Sequence, residues 1–222
     1  MPSLNTLNEP RVAAALQRMF AEAELDGEAS ARAKAAHPTV DFASSTHQEM
    51  ADVASEIYMP ISAEAGRLLY TLVRAVRPHT VVEFGMSLGI STLHLAAAVR
   101  DNGVGRVVTT ELSAHKIASA RKTFAETGLD DVITVLEGDA LETLPARLGT
   151  GVDLVLLDGW KDLYLPVLHL LEPHLAPGAL VFADDAEMDS VQDYLAYVRY
   201  PENGYETVLF PVEDGLEISC RI

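Results

Sequence analysis

The sequence predicts an open α/β sheet, mostly parallel, preceded by helices and closed by a C-terminal antiparallel hairpin. Three observations predict it. After Pro78, short apolar runs alternate with helical stretches, the pattern of parallel strands joined by right-handed crossovers. The first of those runs, Thr80-Val81-Val82-Glu83-Phe84, breaks into a turn with glycines at 85 and 89, as a buried strand entering a ligand-gripping loop would. Near the end, Asp214-Gly215 separates two strand-like runs at 206–212 and 216–222, and Asp-Gly is a preferred pair for a two-residue hairpin.

The elements follow in order. Residues 8–36 are rich in Ala and Glu, with Pro10 suited to a first helical turn and Val12, Leu16, Met19 and Phe20 at helical spacing, so they predict an amphipathic helix covering something. The 40–58 segment mixes Ser, Thr and His47 with short apolar stretches, and 61–76 returns to helical periodicity. Both are read as helices packed on and over the main domain. Strands are expected at 81–84, 106–111, 133–137, 154–158 and 179–183, with helices between them at 91–99, 114–126, 141–148 and 164–175. Ser113 is placed as an N-cap and Gly128 as a helix stop.

Composition narrows the function. A chain of 222 residues that is 49% hydrophobic suits one well-buried α/β domain. The expected organisation is a single domain over 1–222, with a helical cap over about 1–76 and a core over about 77–222. A formal net charge of -17 argues against nucleic acid or an anionic membrane as partner, since both repel it. A small-molecule partner is expected. The single Cys220 cannot form an internal disulfide, residues 1–6 show no basic stretch leading into an apolar one, and no apolar run reaches membrane-spanning length. These features together predict a cytoplasmic protein.

The glycine turn decides the ligand class. Gly85 and Gly89 stand four apart, which is neither G-x-G-x-x-G nor a P-loop, because no G-K-[ST] follows. Glu83 at the strand end would repel a pyrophosphate. A carboxylate there suits a cationic or hydroxyl-rich ligand, and S-adenosylmethionine carries a sulfonium, an ammonium and a ribose. Ligands in open α/β sheets bind beyond the carboxyl ends of the strands, where Glu83 or Gly85, Glu111, Asp139, Asp158 and Asp184 all fall.

The Glu83-Phe84-Gly85 to Ser91 loop, the string Asp158-Gly159-Trp160-Lys161-Asp162-Leu163-Tyr164-Leu165-Pro166, Ala183-Asp184-Asp185, and Tyr194-Leu195-Ala196-Tyr197-Val198-Arg199 carry a resemblance. From about Met59 onward the chain resembles a class I S-adenosylmethionine-dependent methyltransferase, and within that class the catechol O-methyltransferase family. The loop is shared by many methyltransferases; the D-x-W-K-D-x-Y-L-P string is specific. The resemblance implies a Rossmann-like class I sheet with a terminal antiparallel hairpin. It also implies that Glu111 holds the ribose hydroxyls, that Asp139 and Ala140 lie at the adenine, that Ser91 meets the cofactor carboxylate, and that Ile61 touches the cofactor through its backbone. Trp160 would pack on the adenine. Read from the residues alone, Asp139 is equally an ordinary turn carboxylate, Ser91 an ordinary N-cap, and Ile61, Met59 and Trp160 core packing.

Asp158, Asp184 and Asp185 lie on or just after two strands expected to be neighbours. Three converging carboxylates repel one another unless a cation neutralises them, and hard oxygens without Cys or His favour Mg²⁺ or another divalent cation over zinc. Where the family has Asp-Asn, this chain has Asp184-Asp185, which keeps an oxygen ligand and adds charge. The resemblance makes Lys161 the base, beside Asp158 as catalytic partner. A neighbouring cation would lower its pKa from about 10.4 towards neutrality. The implied reaction is direct methyl transfer to a hydroxyl of a small aromatic acceptor, with a homodimer as a possible assembly. The seven His residues show no ligand spacing and are read as non-catalytic. Two other readings stay open: a metal-independent methyltransferase of another O or N acceptor, and a protein that binds the cofactor without catalysis. A nicotinamide reductase is disfavoured by the glycine spacing and the hairpin.

In the resembled family an acidic residue holding the acceptor's second hydroxyl lies between the A-Y-V-R helix and the D-G-L-E hairpin. Here that stretch, 200–213, is shorter, and Glu202 and Glu206 match no motif. The expectation is a more open site that takes a bulkier vicinal diol, with helices between 8 and 58 forming a wall.

Overall fold

The computed structural model describes residues 5–41 and 44–222; the leader reading at 1–4 and residues 42–43 of the 40–58 segment lie outside them. Four helices come first: α1 (Pro10–Ala23), α2 (Asp26–Ala36), α3 (His47–Val53) and α4 (Ala63–Val76). The expected single helix over 8–36 is two. Pro10 opens α1 and its buried stripe Val12, Ala15, Leu16 and Met19 docks on the core, but in α2 only Ala29 is buried. With no apolar stripe to continue the packing, the chain breaks at Glu24-Leu25.

Then β1 (Thr80–Phe84), α5 (Ile90–Asn102), β2 (Arg106–Glu111), α6 (Ala114–Thr127), β3 (Ile133–Glu137), α7 (Ala140–Thr143), β4 (Val152–Leu157), α8 (Tyr164–Leu171), β5 (Leu175–Ala183), α9 (Gln192–Val198), β6 (Tyr205–Phe210) and β7 (Leu216–Arg221) complete the chain. The strands form one sheet in the order β3-β2-β1-β4-β5-β7-β6, the first five parallel and β7 antiparallel to both neighbours. This is the expected architecture. Side-chain alternation splits the core in two. Val81, Val107, Leu154, Leu156 and Phe182 face α1, α4, α5 and α6, while Val82, Val108, Val155, Leu157 and Val181 face α8 and α9. Helix α5 is buried along almost its whole length, and Gly66 lets α4 lie against it, since a Cβ there would stand 2.6 Å from the His94 ring.

Several boundaries differ from the expectation. The helix expected over 141–148 is a single turn, α7, capped by Asp139, whose carboxylate accepts from Leu141 N. That expected over 164–175 stops at Leu171, because Pro173 ends the helical ladder and a short 3-10 turn leads into β5. The closing hairpin is not a two-residue turn. Phe210 pairs with Leu216, leaving a five-residue loop, and Pro211, lacking an N–H, cannot extend the ladder towards Asp214-Gly215. Among the described residues, no helix is long and apolar enough to cross a membrane.

Candidate active site

The connection after β1 runs towards β2 and that after β4 towards β5, on opposite sides, so a crevice opens where the strand order reverses. Gly85 is required there. Its φ is +97°, and a Cβ would stand 2.5 Å from the Asp158 carbonyl, so only glycine lets the ends of β1 and β4 close together. Backbone bonds from Asp158 N to Phe84 O, Met86 N to Thr110 O and Asp184 N to Leu157 O fix neighbouring strand ends in register. The result is a cavity of about 880 Å³, near the top of the roughly 300–1,000 Å³ typical of small-molecule sites.

Gly85, Glu111, Asp139, Ala140, Asp158, Trp160, Lys161, Asp184 and Asp185 all line it. Ile61, Glu83 and Ser91 do not; they are buried behind it. Glu83 is inside β1 rather than at its end, and by alternation it faces α5. Its Oε2 accepts from Thr92 and Thr109 at 2.5 Å each. Burial pushes its pKa up, and Oε1 has no partner at hydrogen-bond geometry although the Ser91 hydroxyl lies close. Glu111 is already engaged: Oε2 accepts from Ser87 N, and Oε1 from Leu112 N and Ser113 N. Of roughly four lone-pair sites on a carboxylate, one remains open.

The acidic cluster assembles as expected. Oxygens of Asp158, Asp184 and Asp185 lie within 4.8 Å of one another. Asp185 takes φ +55°, a left-handed conformation that Asp tolerates better than most residues. Lys161, at the start of a 3-10 turn, donates to Asp158 Oδ1 at 3.3 Å and to Tyr164 OH at 2.7 Å, and pairs with Asp185 Oδ2 at 2.8 Å. Burial pushes Asp158 up to about 6, Lys161 opposing it and Asp185 reinforcing it; burial and then repulsion from Asp158 push Asp184 up to about 8. For Lys161, burial alone would lower the pKa, but attraction to Asp158 and Asp185 outweighs it and raises the value. Burial and mutual repulsion thus disfavour charge on Asp158 and Asp184 together, and a set of oxygens alone fits a hard divalent cation.

Helix α3 supplies the opposite wall through Thr46, His47, Gln48 and Ala51, held by a capping box between Thr46 and Glu49. The His47 ring lies 5.9 Å from that of Trp160, and Nε2 is 3.1 Å from Asp162 Oδ2. Helices α1 and α2 stay off the wall, but Asp26 at the start of α2 accepts from both Tyr58 N and Met59 N at 2.8 Å, holding Met59 at φ +45° on the rim. Met59 and Met188 are about half exposed at the mouth.

Sequence reasoning missed several wall residues, two of them charged groups turned towards the site. Lys116 is 3% exposed and sits in the buried stripe of α6 with Ile117, Ala120 and Phe124, so a lysine at apolar helical spacing was the available signal. Glu213 borders the cavity beside Asp214, at φ +51° in the hairpin loop, and raises the pKa of Asp184. Its place depends on how the five-residue loop folds, which no sequence pattern announces.

Carboxylates at successive strand ends, a glycine turn without phosphate-loop spacing and a terminal antiparallel pair define a class I methyltransferase fold. A methyltransferase domain profile matches residues 82–186. Catechol O-methyltransferase B of Danio rerio is 33% identical over 174 residues, 72% of this chain and 65% of that protein. Catechol O-methyltransferase of Sus scrofa is 31% identical over 147 residues, 64% of this chain and 78% of that one. The cofactor-bound structure of Rv0187 from MTB superposes with a TM-score of 0.68 at 26% identity, covering 78% of this chain and 87% of that one. The chain belongs to the S-adenosylmethionine-dependent O-methyltransferases of the catechol O-methyltransferase type.

Proposed function

We propose that the protein methylates a hydroxyl of a small aromatic vicinal diol, using S-adenosylmethionine with a divalent cation, Mg²⁺ first. The observation that carries this reading is Lys161 set against Asp158, Asp184 and Asp185 on a wall shared with Glu111 and Trp160. S-adenosylmethionine supplies an electrophilic methyl group and the cation a Lewis acid that acidifies the acceptor hydroxyl. Glu111 takes a ribose hydroxyl on its open lone-pair site, Asp139 and Ala140 flank the adenine with Trp160 against it, and Gly85 lets the cofactor lie on the main chain. Glu83, Ser91 and Ile61 lie buried behind the wall and back the cofactor's amino-acid end from there. Asp158, Asp184 and Asp185 hold the cation. Lys161, held protonated by Asp158 and Asp185, would first lose that proton to solvent and would then accept the acceptor's hydroxyl proton at Nζ. Positioning of the two reactants supplies most of the acceleration, on the order of 7 to 11 kcal/mol.

Glu213 receives the second hydroxyl. It also borders a neighbouring cavity of about 600 Å³ walled by Ser62, Glu64, Leu68, Phe210, Pro211 and Val212, whose apolar side favours an acceptor with an apolar arm. The chain works as one domain, with α3 closing the core.

A second reading has one observation in its favour: Lys161 already bridges two of the three carboxylates, as a metal-independent site would need. Transfer of a labelled methyl group to a panel of ortho-diphenols and monophenols, with Mg²⁺ or with chelator, tests both. Metal-dependent turnover of ortho-diphenols is expected; chelator-resistant turnover selects the second reading, and no transfer to any phenol defeats the first.

A further inference from the structure

We infer that Lys116 is a recognition residue for a ligand carboxylate, the one carried by the amino-acid end of the cofactor. Lys116 Nζ lies on the cavity wall next to Ser87 and donates to Ser87 Oγ at 2.9 Å. That hydroxyl is committed onward, donating to Tyr58 O at 2.6 Å. An ammonium has three donors, so two remain. Among the described residues no carboxylate oxygen lies within 4.0 Å of Nζ, although the residue is 3% exposed. Burial pulls its pKa down, Glu111, Asp26 and Asp158 oppose this only at longer range, and the oxygens of Glu111 are turned to backbone N–H groups.

A buried charge without a close counter-charge is costly, and proteins ordinarily pair it or lose it. Nothing in the packing of α6 needs an ammonium: Ile117, Ala120 and Phe124 on the same stripe are apolar. The charge faces instead a cavity whose far wall is strongly acidic. A cationic sulfonium ligand gains nothing from a lysine unless an anionic group meets it, and the cofactor's only anion is its carboxylate.

The inference rests on the cofactor reading, and the test separates the two. Calorimetry of the full chain compares S-adenosylhomocysteine, its decarboxylated analogue and 5′-methylthioadenosine, which keeps adenine, ribose and sulfur but lacks the amino-acid end. The parent is expected to bind the decarboxylated analogue at least about tenfold more weakly than S-adenosylhomocysteine, a comparison that needs no variant. Lys116→Met should weaken S-adenosylhomocysteine about tenfold or more and 5′-methylthioadenosine less than about threefold, with Lys116→Arg recovering part of the loss. Equal losses for both nucleosides, or unchanged S-adenosylhomocysteine affinity in Lys116→Met, would overturn the role of Lys116 while leaving cofactor binding standing. A parent that binds none of the three defeats the cofactor reading itself, and this inference with it.

Discussion

Lys161 Nζ stands 2.8 Å from Asp185 Oδ2 and 3.3 Å from Asp158 Oδ1, so one ammonium spans two of the three clustered carboxylates. The carboxylates hold a proton on the residue that must give it up to act as base. Lys161→Ala should therefore lower kcat by about 10² to 10⁴, the range for a lost general base, with little change in S-adenosylhomocysteine affinity. Steady-state rates and calorimetry check this. A variant as fast as the parent from about pH 6 to 9 would refute the role.

Asp184 is 8% exposed and shares the cluster with Asp158 and Asp185. Asp184→Ala should nearly abolish metal-dependent turnover and weaken Mn²⁺ binding, read by paramagnetic resonance, while S-adenosylhomocysteine binding persists. Full activity in this variant, or in chelator, counts against a cation at this site.

Glu111 ties the turn after β1 to the end of β2 through three backbone N–H groups. Glu111→Ala removes the proposed ribose acceptor and leaves those donors without their partner. Cofactor affinity should fall at least about tenfold, one hydrogen bond to a charged group contributing about 1.5 to 3 kcal/mol, and Tm should fall with it. Unchanged calorimetric affinity would sink the assignment.

The acceptor prediction turns on Glu213. Glu213→Gln should raise KM for ortho-diphenols about tenfold or more while leaving that for monophenols nearly unchanged, because only the former present a second hydroxyl. Larger ortho-diphenols with an apolar arm should exceed dopamine in kcat/KM. If dopamine outperforms every larger diol tested, the neighbouring cavity does not serve the acceptor.

Stability carries a separate signature at Arg199 and Glu217. Arg199 donates from Nε and Nη2 to the two carboxylate oxygens of Glu217 at 2.8 and 2.7 Å, and Thr207 adds a third bond. Burial alone would raise the Glu217 pKa, but these bonds outweigh it and lower it below 4.5. A depressed folded-state value means the contribution is present above the unfolded pKa and lost as pH falls through the folded one. The stability gap between the parent and Glu217→Gln, measured by urea unfolding, should be about 1.5 to 3 kcal/mol near neutrality and narrow below about pH 4.5. A gap independent of pH would contradict the pairing.

The sequence by itself determined the sheet and the positions of the strand-end acids, because these follow from local patterns. Apolar runs of strand length end where Glu111, Asp158 and Asp184 stand, and parallel crossovers then bring those ends together on one edge. Only the tertiary structure decided the rest. That Glu83 points behind the cavity towards Thr92 depends on side-chain alternation within β1. That α3 rather than α1 forms the opposing wall, that Lys116 faces the cavity from an apolar stripe, and that Glu213 reaches the acids all depend on how separate elements pack. Such contacts join residues distant in the chain, through side chains whose partners have no fixed spacing, so no periodicity in the sequence records them.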